Sequence, residues 1–196
     1  MALQVIDKAV IPKDRAISFL QESVYSMIPA AVLIPIILRS DEPTVLFMQR
    51  SLTVGNHRGQ ISFPGGYIEP QDQDPIAAAL RETEEEVGIH KSQVSVIETL
   101  SRTQTISGFD ITPVIGVITD PVQFTLDKNE VELVFEVPLS YLTNRSNLKN
   151  ETHYYAVYFE NHKIWGATAD IIVKLVDFLA HPKYASLLAG ENKILS

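Results

Sequence analysis

The stretch Arg81-Glu82-Thr83-Glu84-Glu85-Glu86-Val87-Gly88-Ile89 decides how the rest of the chain is read. A helix start precedes it. Asp74 can cap free backbone amides, and Pro75 suits the first helical position. Gly88 supplies the stop, so the spacing predicts a helix from the Asp74-Pro75 pair to about Val87. At about 100° per residue, Ile76, Leu80, Thr83 and Val87 form one stripe, expected to pack on a sheet. Glu82, Glu85 and Glu86 fall together on the other side, at spacings i, i+3 and i+4, while Glu84 points elsewhere. Carboxylates so placed repel by roughly a few tenths of a kcal/mol per pair, which a bound cation would relieve. Oxygen ligands with no Cys, and no His at ligand spacing, favour Mg²⁺, Mn²⁺ or Ca²⁺ over Zn²⁺. Taken alone, the three glutamates read more readily as a solvated helix face than as a metal site, and the surrounding sequence has to decide.

Working outward, the apolar run Ile28 to Leu38 is too short to span a bilayer and holds Pro29 and Pro35, so it reads as a buried strand. Strands are expected at Ala30–Leu38 and Thr44–Arg50, joined by the turn Ser40-Asp41-Glu42-Pro43. A polar loop over Ser51–Gly59, a short run Gln60–Phe63 and a turn Pro64-Gly65-Gly66 follow. Beyond the glutamate helix, strands are expected near Val94–Leu100, Ile111–Thr119, Glu132–Val137 and His153–Phe159. A last helix over Ala169–Ala180 carries Ile171, Ile172, Leu175, Val176 and Leu179 on one stripe. Ile17, Leu20, Val24 and Met27 predict a further amphipathic helix over residues 14–26. Mixed strands between helices imply an α/β fold, one sheet covered on both sides. The 196 residues, 45% hydrophobic, suit one domain over residues 1–196.

Composition narrows the function. Cys is absent, which removes disulfide frameworks and thiolate metal sites and makes a reducing cytoplasm the default compartment. The net charge of −8 lacks the basic footprint of a nucleic-acid binder, and no membrane segment is expected. An acidic chain repels anionic substrates at long range, so a phosphate ester would need local cations.

The second half of the glutamate stretch resembles the Nudix box: glycine, five residues, Glu, seven residues, Arg-Glu, an apolar residue, any residue, Glu-Glu, any residue, Gly and an apolar residue. Arg81-Glu82, Glu85-Glu86, Gly88 and Ile89 match, and Gly66 matches the opening glycine, so the box spans about 66–89. Counting back from Arg81, Gln73 stands where the family has its first glutamate, and the glycine-to-arginine spacing is one residue long. Thr83 is less apolar than the pattern asks. Upstream, Leu46-Phe47-Met48-Gln49-Arg50-Ser51 and His57-Arg58-Gly59-Gln60-Ile61-Ser62-Phe63-Pro64-Gly65-Gly66, with Glu69, resemble the additional motif of the coenzyme A pyrophosphatases. That subfamily tolerates the longer spacing. Gly55 stands where its second arginine is expected, with Arg58 close by. Similarity continues through Gly108–Val114, Asn129-Glu130-Val131 and Ile164-Trp165-Gly166-Ala167-Thr168-Ala169.

The resemblance implies a Nudix-like α/β/α sandwich with a mixed sheet and a loop-helix-loop, and a Mg²⁺- or Mn²⁺-dependent pyrophosphohydrolase. Its implied substrate is coenzyme A or acyl-CoA, a small molecule; the oligomeric state is left open, a homodimer included. By resemblance Glu82 and Glu86 are metal ligands, Glu85 is a third ligand or the base, and Gly66 lets the backbone approach metal or phosphates. The catalytic set is Glu85, Glu86 and, from outside the box, Glu130; Arg81 supports a carboxylate. Arg50, Ser51, His57 and Arg58 are the substrate-phosphate candidates, and Phe63 lies beneath the substrate or in the core. Two other readings stay open: a Nudix hydrolase of another nucleoside diphosphate derivative such as ADP-ribose, and a non-catalytic nucleotide-binding domain.

Overall fold

The eleven residues Ile28–Leu38 form β1, the strand around which the other elements are arranged. In the computed structural model, which describes residues 27–52 and 58–188, β1 runs parallel to β7 (Phe109–Thr119) along its whole length, from Ile28 opposite Phe109 to Leu38 opposite Thr119. Leu33, Ile34, Ile36 and Ile37 are all fully buried. That explains the unbroken apolar run: a central strand buried on both faces shows no alternation.

Around this pair, β2 (Pro43–Arg50) lies antiparallel to β1 and carries β3 (Ile61–Ser62) and β8 (Val131–Pro138). The short β4 (Gly65–Tyr67) pairs with the start of β1, Ala31 opposite Gly66. On the other flank β7 is joined by β5 (Val94–Thr99) and β6 (Thr103–Gln104). One face of this mixed sheet is covered by α1 (Pro75–Val87), whose Ala78 and Ala79 pack on Ala31, Leu33 and Val114. The other face is covered by α3 (Ala167–Leu179), with Ile171, Ile172, Leu175 and Val176 against Ile34, Ile36 and Phe47. Between β8 and α3 come the short helix α2 (Leu139–Thr143) and a second sheet, β9 (Leu148–Asn150), β10 (Tyr155–Phe159) and β11 (His162–Trp165). A final turn of helix, α4 (Ala185–Leu188), ends the described chain. The expected sandwich is thus present. No helix among the described residues is long and apolar enough to cross a membrane.

Several expectations need adjustment. The Pro64-Gly65-Gly66 turn is in fact the entry to β4. The region expected as one strand over His153–Phe159 begins at Tyr155 and belongs to the second sheet, whose partners β9 and β11 were not foreseen. Strands of three or four residues are too short to show an alternating pattern. The helix expected over residues 14–26 lies outside the described residues, as do Gly55 and His57.

Candidate active site

The ends of α1 are set as the sequence implies. The Asp74 carboxylate accepts from the Ala77 amide at 2.8 Å. Gly88 takes φ +76°, a left-handed conformation glycine adopts without strain, and its N–H donates to the Glu84 carbonyl at 3.0 Å. Two loop amides cover the last free carbonyls: Thr125 donates to Val87 at 2.9 Å and Asp127 to Glu86 at 3.0 Å. This ties the loop before β8, and with it Glu130, to the end of the helix. Thr83, the polar residue at an apolar place, is fully buried because its hydroxyl donates to the Ala79 carbonyl at 2.6 Å within the helix.

The roll of α1 corrects one expectation. Glu82, Glu85 and Glu86 do not share a solvent side. Glu86 is 2% exposed and turned toward the sheet with Thr83 and Val87; the Glu82 side chain is largely covered; that of Glu85 is 59% exposed. The burying stripe is centred on Ala79, Thr83 and Val87. Its small alanines let the helix sit close to β1 and β4, which draws Glu86 below the surface. Among the described residues no three His, Asp or Glu side chains converge into a complete metal-ligand set as they stand.

Glu86 is held from two directions. The Gly65 amide donates to its Oε2 at 2.8 Å, and the Arg50 guanidinium stands 3.5 Å from its Oε1. These contacts do not offset desolvation: burial pushes the Glu86 carboxyl up to about 8, with Glu82 and Glu130 adding repulsion. Glu82 lies against Gly66, where a methyl group would stand 2.6 Å from its carboxylate. Glycine at position 66 is therefore a matter of space. Burial also raises the Glu82 carboxyl, against the lowering effect of Arg81, while Glu85 and Glu130 raise it further.

Arg81 organises the outer side. Its Nε and Nη2 fork onto Asp72, each at 3.0 Å, Nη1 reaches Glu82 at 2.9 Å and Glu85 at 3.0 Å, and Nη2 also donates to the Tyr67 carbonyl at 3.1 Å. The contact with Arg81 holds the Asp72 carboxyl below its ordinary range. Asp72 was missed in the sequence. Counting back from Arg81 points to Gln73, but five residues after Gly66 the acidic place falls on Asp72. The extra residue therefore lies between Asp72 and Arg81, not before them.

The remaining candidates divide. Ser51 is buried, and its amide donates to the Glu130 carbonyl at 2.8 Å, so these two meet beside Arg50. Glu130 is exposed, and its charge is felt at both Glu82 and Glu86. Arg58 is exposed in the turn leading to β3. Of the two readings of Phe63, the core one fits its place: it is 2% exposed, with its ring 4.8 Å from that of Phe47. The residues brought together are thus Arg50, Ser51, Gly65, Gly66, Glu82, Glu86 and Glu130, with Arg81 and Glu85 at the rim.

This arrangement accompanies a family match over residues 27–171 to the NUDIX domain. The chain belongs to the Nudix family. It is similar to the uncharacterised Nudix hydrolase NudL of Escherichia coli K12, with 39% identity over 154 residues, 74% of this chain and 80% of that protein. Among solved structures, the Nudix hydrolase RenU of M. smegmatis shares the fold at TM-score 0.57 and 18% identity, covering 80% of this chain and 88% of that one. A MutT/nudix family protein from Enterococcus faecalis does so at TM-score 0.54 and 16% identity, covering 95% and 81%. This Nudix hydrolase therefore falls among enzymes that generally use divalent cations such as Mg²⁺.

Proposed function

We propose that the protein hydrolyses the diphosphate of coenzyme A or an acyl-CoA, releasing 3′,5′-ADP and the (acyl-)4′-phosphopantetheine, with Mg²⁺ or Mn²⁺ as cofactor and the cytoplasm as its compartment. The observation that carries the chemistry is Glu86, a buried carboxylate beside Gly65 and Arg50 whose charged form the protein alone leaves undersupported. A hard divalent cation fits such a donor set, since Mg²⁺ keeps several waters and is commonly held by one or two carboxylates and substrate phosphates. Glu82, against Gly66, and Glu86, on the Gly65 amide, would hold it. When bound, the cation neutralises diphosphate charge and acidifies water.

The chain's own groups do the rest. Arg50, with Ser51 and His57, is assigned to phosphate oxygens, the forked guanidinium suiting them. Arg58 is assigned to the same phosphates from the turn. Arg81 keeps Glu82 and Glu85 in place through its anchor on Asp72. Water attacks one phosphorus, its new P–O bond replacing the bridging P–O bond, and its proton passes to a carboxylate. Glu85 and Glu130, both exposed near the buried pair, are the candidate bases. The substrate assignment rests on the motif from Arg50 to Gly66.

The departure at Gly55 favours one second reading, a nucleoside diphosphate derivative without the 3′-phosphate, such as ADP-ribose. The test is hydrolysis of coenzyme A, dephospho-coenzyme A and ADP-ribose with Mg²⁺ and with Mn²⁺, products resolved by chromatography. Coenzyme A at the highest kcat/KM supports the proposal; preference for ADP-ribose replaces the substrate and keeps the chemistry. No turnover of any would shift the assignment to another diphosphate or to a nucleotide-binding Nudix domain.

A further inference from the structure

The second sheet has two unlike faces. Its inner face is core: Val157 and Ile164 are fully buried, and His162 stacks on Phe135 with centroids 3.9 Å apart. On its outer side Tyr158 and Trp165 are 43% and 44% exposed. Cross-strand pairing sets Tyr158 beside Lys163, and Trp165 and Lys149 on either side of the small Ala156. Tyr154 lies against Trp165 at 5.8 Å between centroids. Lys163 Nζ stands 5.1 Å from the Tyr154 ring and 5.5 Å from the Tyr158 ring, and donates to the Tyr154 hydroxyl at 3.0 Å.

Large aromatic rings are ordinarily used to fill cores, so a group of them left open marks a contact surface. The charge beside them says what kind. In a chain of net charge −8, this face presents Lys149 and Lys163, with Glu151 engaged by the Tyr158 hydroxyl at 3.0 Å. Flat rings for stacking beside an ammonium for a phosphate suit an aromatic anion. The surface lies on the α3 side of the main sheet, with the inner face of the small sheet in the same core as α3, whereas Glu86 lies on the α1 side.

We propose that this face is a second, non-catalytic site for a purine mononucleotide, the base stacked on Trp165 and the phosphate on Lys163. It does not depend on the identity of the hydrolysed substrate. Trp165 is the chain's single tryptophan, so its fluorescence reports the site directly. Titrating the full chain with AMP is expected to give saturable quenching, with adenosine and inorganic phosphate each binding about tenfold more weakly or worse. Lys163→Met should weaken AMP by roughly tenfold, as expected for a lost charge-assisted contact, with Lys91→Met as a control of equal charge change. Glu86→Gln should leave the quenching unchanged, which separates this site from the hydrolytic one. Absence of saturable quenching, equal effects of Lys163→Met and Lys91→Met, or loss of quenching in Glu86→Gln would overturn the proposal. So would binding of a single-stranded oligonucleotide with AMP inert.

Discussion

The two ends of β2 hold a carboxylate each, on the same face of the sheet, and treat it in opposite ways. At the Thr44 end, Glu136 meets the forked guanidinium of Arg39 at 3.1 and 2.6 Å and the Thr44 hydroxyl, and Arg39 also pairs with Asp120. Despite partial burial, these partners hold the Glu136 carboxyl below its ordinary range. Six residues along, Glu86 has one amide and a guanidinium at 3.5 Å, and burial pushes it up to about 8. A carboxylate fully matched by protein donors is a structural tie. One buried without enough of them, in a cleft beside other charged groups, marks a candidate functional site. The contrast is the physical reason for placing function at the Arg50 end.

The largest test is Glu86→Gln, which should reduce Mg²⁺-dependent kcat on the order of 10³-fold in steady-state assays. Glu136→Gln should leave kcat within about twofold, because Glu136 touches none of the site residues. If both variants lose activity alike, the comparison fails. In metal-free protein, chemical denaturation against pH offers a sharper measure. Because its folded value is about 8 against an ordinary 4.5, Glu86 favours the fold most below pH 4.5. That contribution is lost as pH rises through 8, a decline on the order of a few kcal/mol. Added Mg²⁺ or the Glu86→Gln change should flatten this slope.

Glu136 should behave in the reverse sense. With its folded value lowered, its contribution is present above pH 4.5 and lost as pH falls through that lowered value. Glu136→Gln should cost about 1–2 kcal/mol at neutral pH in urea unfolding, since it weakens ties to Arg39 and Thr44. The smallest expected effect is at the rim. Asp72→Asn weakens the fork on Arg81 and should lower kcat by roughly three- to tenfold, with stability changed by about 1 kcal/mol or less. An effect as large as that of Glu86→Gln would mean that Asp72 itself takes part in the chemistry.

Much of the site can be read along the chain, and the unread part has specific causes. The helix ends follow from Asp74, Pro75 and Gly88 because capping is local chemistry. The i, i+3, i+4 spacing puts Glu82, Glu85 and Glu86 near one another but not at one depth. Periodicity gives relative angles, while the sheet sets the roll of the helix, here through Ala78 and Ala79. Asp72 was hidden by where the extra residue was counted, and its fork with Arg81 resolves the count. Phe63 carries two readings because an aromatic suits both a core and a binding floor; its packing on Phe47 agrees with the core reading, the one the sequence favours. The strands β9 and β11 are too short to announce themselves, so the open face around Trp165 appears only once they pair.

By itself the sequence determined the α/β class, the limits of α1, the oxygen-rich character of the site and the family pattern from Gly66 to Ile89. The limits of α1 depend on residues within a few turns of one another, where local geometry fixes the relation; the α/β class follows from the order of elements along the chain, and the family pattern from resemblance. The tertiary structure decided which glutamate is buried, which acid anchors Arg81, that Ser51 and Glu130 meet, and which end of β2 leaves its carboxyl with few donors. Those depend on the parallel pairing of β1 with β7 and the docking of α1 on the sheet, contacts between segments far apart in the chain. Desolvation, which singles out Glu86, exists only after that packing has excluded water.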